Sequence, residues 1–314
     1  MADQIDDFVV LKEWAHINVN EPDRIPTVPV LYHYTGPPGI YGIIASDCLW
    51  ATAAQFSNDL SEFEYAISVS DAIIADTWKI DQTSNAREAF LANLVRKVLK
   101  APFSRPYLAC FCEDGNLLSQ WRAYGRGAGF SIAFAPLLDG ETLKLRSEHS
   151  LRVLLRKVDY ESDSQRARLK ALLTNLIQLV NQLPNPTTTS ERTLLDSGIT
   201  LITILEITDW ACTVKDGAFH EEREWRLIVF PNLTSGGGDT NAESLDGVKV
   251  RATADLLIPY MELKATGNSG KLPIVGINCG PSRLQGQSAK AIRILLQKHG
   301  YSAPITSSSI PLRV

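Results

Sequence analysis

The chain has 314 residues, 45% hydrophobic and 21% charged. That is enough apolar material for a substantial core in one large domain or two small ones, and it excludes a disordered or fibrous chain. The 31 Lys and Arg against 35 Asp and Glu leave a net charge of -4, which excludes a general electrostatic grip on nucleic acid while leaving room for a local basic groove.

The chain opens Met-Ala-Asp-Gln-Ile-Asp-Asp-Phe, without the basic-then-apolar order of a signal peptide, and Pro22, Pro26 and Pro29 deny a helix to the residues before the first strand. No apolar run approaches the roughly 20 residues of a membrane helix. Five cysteines, an odd number, suit a reducing compartment, so the expected location is the cytoplasm, with no membrane partner. Val30 to Thr35 is a run of β-formers and predicts a strand. Gly36-Pro-Pro-Gly39 breaks it, Ile40, Ile43 and Ile44 predict a short helix, and Leu49-Trp-Ala-Thr52 is extended. Ser61 with Glu64 reads as a capping box that opens a helix to about Trp78, and a second helix is expected over 86–99.

Tyr107 to Cys112 and Gly129 to Phe134 read as strands flanking a loop, Ser119-Gln-Trp-Arg-Ala-Tyr-Gly125. Another strand is expected over 152–160. Helical spacing from Asp163 to Leu183 and from about Ser190 to Trp210, parted by Pro184-Asn-Pro186, predicts a hairpin inserted between strands. Glu224 to Phe230 is the clearest strand, and Ser235-Gly-Gly-Gly238 comes after it as a flexible loop. Strands at 248–253, 257–263 and 273–278, a helix over 288–298 and a tail tied to the sheet complete the chain. Strands and helices mix without regular alternation, so the class is α+β.

Alternation in Val30 to Thr35 puts Leu31, His33 and Thr35 on one face and Val30, Tyr32 and Tyr34 on the other. A lone histidine on such a strand is first of all a core residue bonded to backbone. A functional role needs a second strand with a complementary group, and Ala218 to Phe230 offers one. Read as a strand throughout, it collects Glu222, Glu224 and Arg226 on one face and sends Trp225, Leu227 and Val229 to the other. The charges read either as a solvated face of weak salt bridges or as functional carboxylates on a central strand.

His220-Glu221 with Glu224 departs from a zinc-protease helix, because the last position is Glu and the next residues favour strand; a metal-dependent hydrolase built on His220, Glu222 and Glu224 is the remotest reading. Cys110 and Cys112 are spaced by one residue and have no matching pair, so no metal site is expected. Gly125-Arg-Gly-Ala-Gly129 precedes a strand and reads as a turn. Two readings of 119–125 stand open: a binding loop, or a loop anchored by buried Trp121 with Arg122 satisfying backbone carbonyls.

Several segments together, LYHYT at 31–35, LWAT at 49–52, SNDLSEFEY at 57–65, ACFCED at 109–114, LLSQWRAYG at 117–125, FHEEREWRL at 219–227 and SIPLR at 309–313, resemble in that order the bacterial domain-of-unknown-function family 2971. That family is similar to the ADP-ribosyltransferases, whose fold is a pair of split, bent antiparallel sheets that hold NAD in the cleft between them. The resemblance implies one such domain over 1–314, with a core at about 28–232, a helical insertion at about 161–210 and a strand-helix extension at about 246–314.

It further implies that His33 bonds a ribose hydroxyl, that the backbone of Tyr34 holds the carboxamide, and that Glu224 is the catalytic glutamate with Glu222 completing a Glu-x-Glu pair. Trp50, Phe56 and Trp121 compete to stack on nicotinamide, and Arg122 with Arg126 would hold the pyrophosphate. The NAD-binding candidates are therefore His33, Tyr34, Thr35, Trp50, Asn58, Ser119, Gln120, Trp121 and Arg122. One carboxylate suffices for this chemistry, because nicotinamide leaves a cationic pyridinium as a neutral molecule and needs no general acid.

The implied function is transfer of ADP-ribose from NAD to a macromolecular acceptor, protein or nucleic acid, in the setting of a toxin or antiviral effector with a neutralising or activating partner protein. The alternatives are an NAD glycohydrolase, with water as acceptor, and a non-catalytic nucleotide sensor.

Overall fold

The computed structural model describes residues 30–56, 61–77, 86–100, 106–125, 129–135, 145–146, 150–231, 247–253, 255–265 and 271–311. The first 29 residues, Asn58, Arg126 and the glycine run at 235–238 lie outside the described residues, and so does the Ser61 side chain on which the expected capping box depends. In chain order the elements begin with β1 (Leu31–Thr35), α1 (Pro37–Ser46), β2 (Cys48–Ala53), α2 (Ser61–Thr77), α3 (Ala86–Lys100), β3 (Tyr107–Cys112) and α4 (Leu118–Tyr124). Next come β4 (Phe130–Phe134), β5 (Leu145–Arg146), β6 (Ser150–Lys157), α5 (Ser162–Gln182), α6 (Thr189–Cys212) and β7 (Glu224–Pro231). The chain closes with β8 (Val248–Ala252), β9 (Leu257–Ala265), β10 (Ile274–Cys279), α7 (Gln285–Lys298) and β11 (Ile305–Ser307). No helix among the described residues is long and apolar enough to cross a membrane.

The chain divides into two compact units. The helical unit takes its described residues from 59–104 and 159–217. Its four helices α2, α3, α5 and α6 share one core that includes Ile74, Leu91, Val95, Leu169, Leu173, Leu176, Ile202 and Trp210. Each of these side chains contributes on the order of 1.5–3 kcal/mol by leaving water. The expected hairpin is thus part of a larger bundle, because α2 and α3 present apolar faces that α5 and α6 cover. Gln165, fully buried, supplies the bundle's polar tie: its Nε2 donates to the carbonyls of Asp159 (2.7 Å) and Lys215 (2.9 Å), and its Oε1 accepts from Tyr65 Oη (2.8 Å).

The second unit is built on a bent, open and mostly antiparallel sheet, in keeping with the α+β class. Among the described residues eleven strands join it, along the path β11-β10-β4-β1-β3-β2-β9-β5, with β7 between β3 and β6 and with β8 on β9. After α7, β11 pairs parallel with β10; of the tail expected at 309–313, Ser309, Ile310 and Pro311 follow β11 without forming a strand, and Leu312 and Arg313 lie outside the described residues. The strand that organises the sheet is β3. One of its edges pairs along its whole length with β7, from Tyr107↔Val229 to Cys112↔Glu224. The other edge is shared: β1 meets it at Tyr32↔Cys112 and β2 at Thr52↔Leu108 and Ala53↔Tyr107.

Two local readings of the sequence change. Residues 118–124 form the helix α4 rather than a loop, because nothing between Leu118 and Gly125 breaks a helix and Gly125 N–H closes it on Trp121 C=O at 2.8 Å. Gly217–Glu222 form a 3-10 helix, and Arg223 comes next at φ 42°, a left-handed conformation that non-glycine residues seldom adopt. The strand therefore begins at Glu224, and Glu222 does not share a strand face with it.

Candidate functional site

Register decides which sequence-predicted residues meet. Tyr32 faces Cys112, and Cys112 faces Glu224, so these three share one face of β1-β3-β7. His33, one residue along, belongs to the opposite face, where its ring lies 5.8 Å from Phe111. The register therefore does not bring His33 and Glu224 together on one face of these strands.

Each has a structural task in place. Among the described residues no strand residue is in register with Cys110 on the shared edge of β3, and the Cys110 carbonyl accepts from His33 Nδ1 at 2.8 Å. Glu224 is 5% exposed and Arg226 2%. Arg226 donates Nε to Glu224 Oε1 and Nη2 to Oε2, both at 2.8 Å. Both carboxylate oxygens are engaged by a planar fork that matches their geometry.

Burial, first of all, holds the His33 imidazole below its ordinary value of 6.5; its bond to Cys110 opposes this and the nearby Arg251 charge adds to it. The unfolded chain therefore binds the proton first as pH falls. The stability that neutral His33 contributes is complete above about pH 6.5 and is lost as pH falls from there through the lower folded value. Melting temperatures measured from pH 7.5 down to 5 will fall more steeply for the wild type than for His33→Asn, which keeps an N–H for Cys110 but does not titrate. Equal slopes would show that His33 is not held neutral.

The segment around α4 is pinned from several sides. Tyr34 Oη donates to Asp114 C=O (2.8 Å) and accepts from Leu117 N–H (2.9 Å), while its ring meets Trp121 edge-on at 4.8 Å. Trp121 is 3% exposed and donates Nε1 to Asn116 Oδ1 at 3.0 Å; Ser308 Oγ, next to β11, donates to the same oxygen at 2.5 Å. Gly115 C=O accepts from Ser131 Oγ (2.8 Å) and Asn278 Nδ2 (3.0 Å). A Cβ at Gly280 would stand 2.8 Å from the Trp121 ring. Trp121 is thus an anchor. Gln120 is buried, the Ser119 hydroxyl is buried with no hydrogen-bond partner, and Arg122 is exposed rather than turned back onto carbonyls. Thr35 lies beneath α1, whose Gly39 permits the close approach.

A different group of side chains carries unspent chemistry. In β2-β9 Trp50 faces Glu262 and Thr52 faces Tyr260; in β8-β9 Lys249 faces Tyr260 and Arg251 faces Ile258. Trp50, Thr52, Lys249, Arg251, Tyr260 and Glu262 therefore share one face. Thr52 also pairs with Leu108, so this face continues across β3 onto the side that carries Glu224.

Arg251 reaches over β9 and donates Nη2 to Thr52 Oγ1 at 2.9 Å. Its guanidinium stands 5.5 Å from the Trp50 ring and 5.9 Å from the Tyr260 ring, two rings that are themselves 5.0 Å apart. The neighbouring carboxylate, Glu262, is taken by Lys249 at 2.7 Å. Among the described residues no carboxylate pairs with Arg251, and both Arg251 Nε and Trp50 Nε1 are buried with no acceptor. Burial disfavours the Arg251 charge, with Tyr260 opposing. Two orphaned donors, one of them a cation beside a pair of aromatic rings and the other the indole N–H of that pair, cost stability unless an anionic acceptor completes them.

Of the aromatics expected to compete for a ligand, Trp50 alone joins this group, while Trp121 is spent in packing. The sequence reading does not pick out Arg251 and Tyr260; the one available signal is the spacing of Lys249 and Arg251 two apart on a short strand. No curated protein and no solved structure matches the chain. Residues 120–227, which run from α4 into β7, match the model of a family described as "Protein of unknown function (DUF2971)".

Proposed function

We propose that the protein is a nucleotide-binding module whose ligand is a diphosphate of the NAD and ADP-ribose class, held on the sheet face at Trp50, Thr52, Arg251 and Tyr260. The observation that carries this reading is the half-buried Arg251 guanidinium, which stands beside the adjacent Trp50 and Tyr260 rings and, among the described residues, pairs with no carboxylate. A diphosphate supplies the charge and acceptors that Arg251 Nε and Trp50 Nε1 lack, and its hydroxyl-rich sugars suit Thr52 and the rim of the aromatic pair.

The sensor reading is favoured over ADP-ribosyl transfer by the Glu224–Arg226 pair. A transferase would need Glu224 on the ribose, and that carboxylate already has both oxygens bonded. NAD remains the first ligand to try, on the strength of the resemblance in 31–65 and 109–125.

Titration of NAD and of ADP-ribose into the protein, followed by tryptophan fluorescence and calorimetry, is the test. Arg251→Met removes a charged hydrogen-bond donor worth about 1.5–3 kcal/mol, so affinity falls about 10- to 150-fold, and the melting temperature falls only slightly, because the one hydrogen bond the free protein loses is that to Thr52. NAD recovered intact after incubation fits a binding module. Release of nicotinamide that disappears in Glu224→Gln would restore the transferase or glycohydrolase reading.

A further inference from the structure

We infer that the helical unit holds a site of its own for a free α-amino acid with an apolar side chain. A cavity of about 570 Å³ opens between the start of α3, the α5–α6 connection and the first turns of α6. This lies within the roughly 300–1,000 Å³ range of small-ligand pockets. Phe90, Leu195 and Ile199 give it an apolar wall, and Phe90 is left 38% exposed although it faces that wall.

Most polar groups near the cavity are already satisfied inside the unit. Arg87 donates to the carbonyls of Val180 (3.1 Å), Leu183 (2.7 Å) and Pro184 (2.7 Å) and to Asn185 Oδ1 (2.9 Å), closing the carbonyl end of α5. Asn181 Nδ2 donates to Glu88 at 2.9 Å. The start of α6 is closed by the reciprocal bonds of Thr188 and Glu191.

Two lining side chains remain unspent. Arg192 and Asp196 stand one turn apart on α6, about 5–6 Å between their Cβ atoms, and both line the cavity. No hydrogen bond or ion pair joins their side chains to each other or to another described residue. Arg ahead of Asp is the weaker order for such a helical pair, so each keeps its capacity for a ligand. On an open helix face two such charges are simply solvated; here they line a cavity that has an apolar wall at Phe90, Leu195 and Ile199. A single molecule that satisfies all three features carries a carboxylate for Arg192, an ammonium within a few ångströms for Asp196, and an apolar group for the wall beside Phe90, Leu195 and Ile199. An α-amino acid has that arrangement.

The test is calorimetric titration of the full chain with L-phenylalanine and L-leucine, and with phenethylamine and 3-phenylpropionate, which each lack one charge. Saturable binding of an amino acid is expected, at least 10-fold weaker for both single-charge analogues. Arg192→Gln is expected to weaken phenylalanine and phenylpropionate and spare phenethylamine; Asp196→Asn is expected to show the opposite pattern. Both positions are exposed, and unchanged melting curves will show that the variants fold. Arg251→Met is expected to leave amino-acid binding unchanged, which separates this site from the nucleotide reading. The proposal is overturned if neither amino acid binds, if the analogues bind as tightly, or if the two variants have no effect.

Discussion

Arg226→Met is expected to destabilise the protein by about 3–5 kcal/mol, because it leaves the Glu224 carboxylate buried without its guanidinium. The carboxylate cannot turn to water from a strand flanked by β3 and β6, where it is 5% exposed. The double variant Glu224→Leu with Arg226→Met removes both charges and is expected to lose less than the single one, since well-packed apolar groups often replace a buried pair at little cost. Chemical denaturation at pH 7, read on all three proteins, checks the order. A single variant within about 1 kcal/mol of wild type would mean that the pair is better hydrated than its burial indicates, and would free Glu224 for chemistry.

Trp121→Ala carries the other large effect, also about 3–5 kcal/mol. The substitution empties the space between Tyr34 and Gly280, and Asn116 loses one of the two donors that fix it. Trp121→Phe separates the terms: it keeps most of the ring's packing and drops the indole N–H, at a cost of about 1 kcal/mol. Neither change touches Arg251, so nucleotide affinity of the folded Trp121→Phe protein stays at the wild-type level. A large loss of affinity in that variant would return Trp121 to the competition with Trp50 and Phe56 for the stacking role that the resemblance implies.

The same two regions show how far the sequence can be read. Alternation correctly puts Glu224 with Arg226 and sends Trp225, Leu227 and Val229 to the other side, because that rule is internal to one strand. It cannot relate Glu224 to His33. That relation depends on the register Tyr32↔Cys112↔Glu224, and a slip of a single residue between β1 and β3 would put His33 on Glu224's face. Extending the strand back to Glu222 fails for a different reason: Arg223 turns the backbone left-handed, and the alternating charges of 220–226 carry no trace of that turn.

The helix α4 reads as a loop in the sequence because seven residues with two aromatics and no apolar periodicity give a pattern too short to count. Its anchor is legible all the same, since a tryptophan between strands in a polar stretch is most readily explained by burial. The Arg251 group is the least visible. Strands at 248–253 and 257–263 are expected, but nothing local indicates that β9 brings β8 and β2 together, or that Arg251 reaches Thr52 across 199 positions of chain. Sites assembled from three strands by a long side chain have no sequence spacing of their own.

The central claim is that an anionic ligand completes Arg251, and diffraction from crystals grown with ADP-ribose tests it most directly. Diphosphate oxygens within about 2.7–3.2 Å of Arg251 and of Trp50 Nε1, with the Glu224–Arg226 pair still closed, is the predicted result. A ligand whose ribose is held by Glu224 with Arg226 displaced, or one bound with Arg251 left bare, would contradict it.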